Sequence, residues 1–145
     1  MIDKIKDIIE KKDSCILATV SGKDPHCSLM SYVANEDCRE IYMISLRGSK
    51  KYRNMMNNDS VSLLIDTRED NVGRKRENIK ALTVKGNFQH MGDKTKRLTI
   101  LEKLLSRHPH LKDFAHSDEL EVFQVNVKSV ELLEGVSNAY FEELD

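Results

Sequence analysis

A small α+β barrel, built of antiparallel strands with helices flanking it, is the fold class this sequence predicts. Two observations carry that expectation. Six or seven short segments with strand character recur along the 145 residues, and most of their connections are too short for a crossover between parallel strands. Three amphipathic helical stretches interrupt them without alternating strand by strand, so a βαβ architecture does not fit. The length suits one domain, residues 1–145, with a real core.

The elements follow in chain order. Ile2, Ile5, Ile8 and Ile9 share one stripe of a helix with lysines and acids opposite, so the chain opens on an amphipathic helix. Residues 14–20 read as a strand, 21–25 as a turn through Gly22 and Pro25, and 27–34 as a second strand. A polar reversal at 35–39 leads to a strand over 41–46, a basic corner at 47–51 and a short amphipathic helix over 52–57. Asn58 and Asp59 break the pattern before a strand over 61–65. Residues 66–78 are highly charged and read as a long exposed loop. The strand over 81–90 puts Leu82, Val84 and Phe88 on one face, and Gly86 marks a bulge or bend. Asp93 is the expected N-cap of a helix striped by Leu98, Leu101, Leu104 and Leu105 and ended by Pro109. Residues 121–128 alternate Val122, Gln124 and Asn126 against Phe123, Val125 and Val127, and 130–133 continue or pair with them.

Composition narrows the function classes. Lys plus Arg number 23 against 24 Asp plus Glu, so no global field favours nucleic acid or an anionic membrane. No apolar run approaches a membrane span, and residues 1–12 alternate charge with isoleucine, unlike a secretory leader. Cys15, Cys27 and Cys38 are odd in number and form no C-x-x-C, so neither a disulfide framework nor a zinc site is expected. The expected compartment is the cytoplasm.

Self-sufficient catalytic chemistry is missing. Cys27 follows His26, but neighbours on a strand face opposite ways and make no nucleophile–base pair. Cys15 and Cys27 read as small core residues, Cys38 as exposed in a polar turn. His108, His110 and His116 surround Pro109 without zinc spacing and read as polar groups at a helix end, with a haem ligand among them left open. Gly73, Arg74, Lys75 and Arg76 are neutralised by Asp66, Glu69, Asp70 and Glu77, which fits a solvated loop. The corner at Arg47, Gly48, Ser49, Lys50 and Lys51 remains. Free N–H groups at a helix start, a hydroxyl and two ammonium groups can hold a phosphate, although a solvated corner has the same composition.

The order of these pieces is informative. A helix leads to Ala18-Thr19-Val20, then to Cys27-Ser28-Leu29-Met30-Ser31-Tyr32. The strand over 41–46 runs into Ser49-Lys50-Lys51, Asn58-Asp59 precedes the strand over 61–65, and Lys85-Gly86 lies in the next long strand. This resembles the pyridoxamine-phosphate-oxidase-like family of flavin-binding split barrels, over roughly residues 2–136. The resemblance implies an α+β fold with a six-stranded antiparallel split barrel, and a homodimer with FMN at the subunit interface. It implies that Ser45, Ser49, Lys50 and Lys51 hold the flavin phosphate and that Ser28, Leu29 and Met30 lie along the flavin ring. Ser28 stands where the vitamin-B6 oxidases carry a phosphate-binding arginine, and Ala81 where they carry a flavin-contacting glutamine. Residues 139–145 hold neither their arginine nor their histidine for substrate. The expected activity is therefore an FMN-dependent oxidoreductase or flavin reductase passing hydride or electrons between a reduced nicotinamide or similar donor and a small-molecule acceptor. The alternatives are a split-barrel protein that binds a deazaflavin or haem, and a cofactor-free dimeric interaction protein.

Overall fold

The computed structural model describes residues 1–73 and 76–145. Its elements are α1 (Asp3–Lys11), β1 (Ser14–Ser21), β2 (Asp24–Ser31), β3 (Val33–Ala34), β4 (Glu40–Leu46), α2 (Lys50–Asn57), β5 (Ser60–Asp66), β6 (Lys80–His90), α3 (Lys94–Arg107), β7 (Leu120–Glu134) and β8 (Asn138–Glu143). The strands pair antiparallel in the order β2-β1-β5-β6-β7-β4-β3, with β8 added on β7. Only Tyr32 separates β2 from β3, so the two ends of this order are successive pieces of one segment. Counted that way, the curled sheet has the six strands expected of the split barrel, with β8 as an extra.

The break in the segment expected as one strand over 27–34 has a cause. Tyr32 is fully buried, its hydroxyl donates to the Ile9 carbonyl at 2.6 Å and its N–H donates to Asp13 at 3.1 Å. The chain thereby leaves β1 for β4 around a fixed pivot. The bulge expected at Gly86 is present as a register shift between Lys85 and Gly86 where β6 crosses β7.

Two apolar clusters hold the barrel. Inside it, Leu17, Met43, Leu63, Ile65, Leu82, Val84, Phe123 and Val125 pack with Ile5, Ile8 and Ile9 of α1 and with Tyr52 and Met55 of α2. On the outside, Ile100 and Leu104 of α3 cover Tyr42, Ile44, Leu120 and Val122. β7 is therefore buried on both faces along most of its first half, rather than half exposed as its alternation suggests. The expected α3 stripe shifts as well. Leu98 is exposed while Ile100 is buried, because the helix meets β4 and β7 with the Ile100–Leu104 edge. Lys96 fastens that edge by donating to Glu40 at 2.9 Å and to Gln124 at 3.1 Å, and the bond from Lys96 holds the Glu40 carboxyl below its ordinary range.

The charged segment after β5 contains short 3-10 turns at Arg68–Asn71 and Arg76–Asn78, and Lys12 reaches across to Glu69 and Asp70. Arg74 and Lys75 of the expected basic loop lie outside the described residues.

Two cysteine expectations are corrected. Cys27, expected in the core, is exposed, because β2 is an edge strand and this residue faces outward. Cys38, expected to be exposed, is fully buried under α1, with its turn adopting φ 60°. Burial pushes the Cys15 thiol up to about 12 and the Cys38 thiol up to about 11, so at pH 8 both are almost wholly protonated and unreactive. Iodoacetamide at that pH is expected to add one label to the native protein, at Cys27, and three after denaturation. Intact-mass measurement checks this, and rapid native labelling of Cys15 or Cys38 contradicts it.

Candidate functional site: a groove between β2, α2 and the end of α3

The corner between β4 and α2 is built by two hydroxyls. Ser49 caps α2 with its side chain accepting from the Tyr52 N–H at 3.3 Å, and Ser45, fully buried at the end of β4, lies 2.8 Å from it, Oγ to Oγ. Both serines are thus engaged in shaping the corner. The N–H groups of Lys50 and Lys51 belong to the first turn of α2 and have no intrahelical acceptor. Lys50 is exposed and Lys51 is half-buried, and among the described residues neither forms an ion pair.

Lys51 closes one side of a groove enclosing about 470 Å³. Leu29, Met30 and Ser31 of β2 form one wall, Ile44 of β4 contributes to the floor, and His110, Leu111 and Phe114 from the turns after α3 form the facing wall. Alternation along β2 explains the first wall: Met30 is buried with the barrel core, whereas the Leu29 side chain is 79 % exposed. The second wall is held by the histidines. His108 is buried with Nε2 2.9 Å from the Tyr32 carbonyl, and His110 Nε2 lies 3.3 Å from Ser31 Oγ. The two rings meet edge to face at 5.8 Å.

Leu29, Met30 and Lys51 of the expected set therefore share one groove. Ser45 and Ser49 lie behind Lys51 in the corner, Lys50 faces solvent beside it, and Ser28 lies further along β2, outside the groove lining. His110, Leu111 and Phe114 were not expected there. His110 stands 79 residues after Ser31 of β2 in the chain, and only the tertiary fold brings this wall opposite that strand. His116 is exposed and outside the lining.

The groove can accept a planar ligand with an anionic end. Ile44, Leu111, Phe114 and Leu29 offer apolar contact, the outer edge of β2 offers main-chain polar groups, and Lys51 with the α2 N-terminus offers positive charge. A flavin mononucleotide has these parts, so the residues present fit that group.

The comparisons with known proteins agree with the fold. The family model of pyridoxamine 5'-phosphate oxidase matches residues 1–134, and the chain belongs to that family. Among solved structures it is similar to the General Stress Protein 26 of Bacillus anthracis, with 20% identity, TM-score 0.70 and coverage of 98% of this chain and 97% of that one. It is similar to a FAD-binding protein of Mesorhizobium loti, with 17% identity, TM-score 0.72 and coverage of 89% and 91%. It is also similar to HutZ, a haem storage protein of Vibrio cholerae, with 17% identity, TM-score 0.74 and coverage of 90% and 92%. At these identities the likeness is one of fold. A search of curated proteins finds no match. Among the described residues, no helix is long and apolar enough to cross a membrane.

Proposed function

We infer that the protein binds FMN in the groove between β2, α2 and the turns after α3, and acts as an FMN-dependent oxidoreductase on a small molecule. The observation that carries this reading is Lys51, a half-buried cation with no acidic partner among the described residues, set beside the free N–H groups of α2 at the edge of an apolar groove. The flavin supplies the hydride chemistry, and the chain supplies position and charge. Ser45 and Ser49 hold the corner at which Lys51 meets the phosphate. Membership of the pyridoxamine 5'-phosphate oxidase family supports a flavin, as does the fold shared with a FAD-binding protein. Vitamin-B6 oxidation is not the reaction proposed, since Ser28 offers no cation where those oxidases use one. A second copy of the chain completes the site in this reading, because the groove is open on one side and a flavin ring in it would stay partly wet.

One observation favours haem as a second reading. His110 lies in the groove wall, and a fold relative is a haem storage protein. The absorption spectrum separates the two. The purified protein, or protein titrated with FMN, is expected to show a bound flavin spectrum and to sediment as a dimer. A Soret band that appears with haemin and fails in His110→Ala supports haem storage. Neither chromophore binding, with monomer only, overturns the flavin reading and leaves a protein without this cofactor.

A further inference from the structure

A second cleft, of about 450 Å³, lies on the other side of α2, where the helix faces the end of β6 and the start of β7. Lys51 serves the groove already described, while Tyr52, Arg53 and Met56 of the same helix line this one. At its back sits Glu121, whose side chain is only 8% exposed. Its Oε1 accepts from Arg47 Nε at 2.9 Å and lies 2.9 Å from Arg47 Nη2 in the same ion pair. Its Oε2 has no hydrogen-bond donor among the described residues, with Arg97 Nη1 at 3.8 Å and His90 Nδ1 at 3.9 Å.

Three physical features act together here. Glu121 fixes the Arg47 guanidinium at the cleft wall, and Arg53 adds a second cation that pairs with no acid among the described residues. Among the described residues, Glu121 is the one acid in the cleft lining, and Glu119, beside Gly48, lies outside it. The cleft thus carries a positive rim. Met56, 61% exposed, and the ring of Tyr52 below it supply apolar contact. A buried carboxylate oxygen without a donor is rare in folded proteins and is relieved by any N–H brought to it. The imidazole of His90, half exposed and 3.1 Å from the Tyr52 hydroxyl, is the side chain whose rotation admits such a donor.

We propose that this cleft is a second binding site, distinct from the flavin groove, for a small planar anion that carries an amino group: an amino-substituted heterocycle with one phosphate or carboxylate. The ring lies over Met56, its N–H edge turns toward Glu121 Oε2, and its anionic group meets Arg53 and Arg47. A purine nucleoside monophosphate has this shape and charge and serves as the probe. The proposal does not depend on which cofactor fills the first groove.

The two sites each contain one methionine, Met56 in the cleft and Met30 in the groove. Methionine methyl NMR therefore reports each separately once Met56→Leu and Met30→Leu assign the signals. Titration with adenosine 5'-monophosphate is expected to shift the Met56 methyl saturably and to leave Met30 unmoved, with or without FMN. Adenosine alone and inorganic phosphate alone are expected to bind at least about tenfold more weakly, since each lacks one of the anchoring parts. Arg53→Ala, at an exposed position that carries no packing, is expected to weaken the nucleotide by about tenfold or more. Four outcomes overturn the proposal: no saturable Met56 shift up to millimolar nucleotide, equal binding of nucleotide and adenosine, movement of Met30 in place of Met56, or a Met56 signal that changes with protein dilution alone. The last would mean that a second copy covers the cleft.

Discussion

Lys51→Ala is expected to weaken FMN by about ten- to a hundred-fold while riboflavin changes little. The magnitude follows from the loss of one charge-assisted hydrogen bond, about 1.5–3 kcal/mol, to a phosphate that riboflavin lacks. The structure divides the two lysines of the corner. Lys51 is half-buried and lines the groove, whereas Lys50 is exposed and does not. Lys50→Ala should therefore cost much less, and the double variant should resemble Lys51→Ala. Folding should survive, because neither lysine forms an ion pair among the described residues and both sit in the first turn of α2, away from the core. Calorimetric titration of both ligands into the wild type and the three variants provides the measurement. Equal losses for FMN and riboflavin, or none for either, would return the corner to a solvated turn.

Gly86→Ala is expected to destabilise the protein by roughly 3 kcal/mol, the upper part of the range for overpacking a close-fitted site. At Gly86 the two long strands β6 and β7 shift register, and the backbones approach so closely that an added Cβ would lie 2.3 Å from the Asn126 carbonyl oxygen and 2.8 Å from Val125 Cγ1. The obstruction is backbone, so it has no cheap way to move. Both neighbours belong to the strand that is buried on two faces, and displacement of Asn126 or Val125 disturbs packing around Phe88 and Phe123, whose rings lie 5.5 Å apart. Thermal unfolding should fall by about 10 °C. Gly92→Ala is the control, since nothing lies within 4 Å of a Cβ there. If the two variants melt together, the close approach at Gly86 is not a constraint on the fold.

Much of the barrel was legible because its signals are local. Isoleucine spacing marks α1, Gly86 marks the bulge, and Asp93 caps α3 with its side chain accepting from Thr95 and Lys96. Lys51 stood out through the local composition of its corner, whereas Leu29 and Met30 entered only through the family resemblance, and that the three share a groove is a product of the tertiary fold. Readings that depend on what covers a face were not. Nothing in the residues around Leu98 says that Ile100 will meet the sheet, and nothing near Cys38 says that α1 will fold over it. The alternation in 121–128 describes a strand correctly but cannot reveal that α3 will bury its outer side. β8 escaped notice because adjacent Tyr140 and Phe141 run straight into Glu142 and Glu143 with no period-two alternation, in a segment that is mostly exposed and gains its order from pairing with β7. Glu121 and Arg47 looked like ordinary charges, because long-range pairing across β4 and β7 leaves no periodic trace.

The C-terminal end of α1 has an unusual set of dependants. Its Ile9 carbonyl receives the Tyr32 hydroxyl, and Arg107 donates to the carbonyls of Glu10 and Lys12 at 2.9 Å each. These are carbonyls that a helix end otherwise leaves to water. Tyr32 in turn receives His108, and the residues that follow are the groove wall. The wall thus inherits its position from the first dozen residues of the chain, far from it in sequence. Fraying of that short helix would empty the binding-competent population without removing a single ligand contact, and measured affinity would drop by the lost fraction. Reciprocally, a ligand seated in the groove should slow amide exchange in α1, so that the amino terminus becomes a reporter of occupancy at a site it never touches.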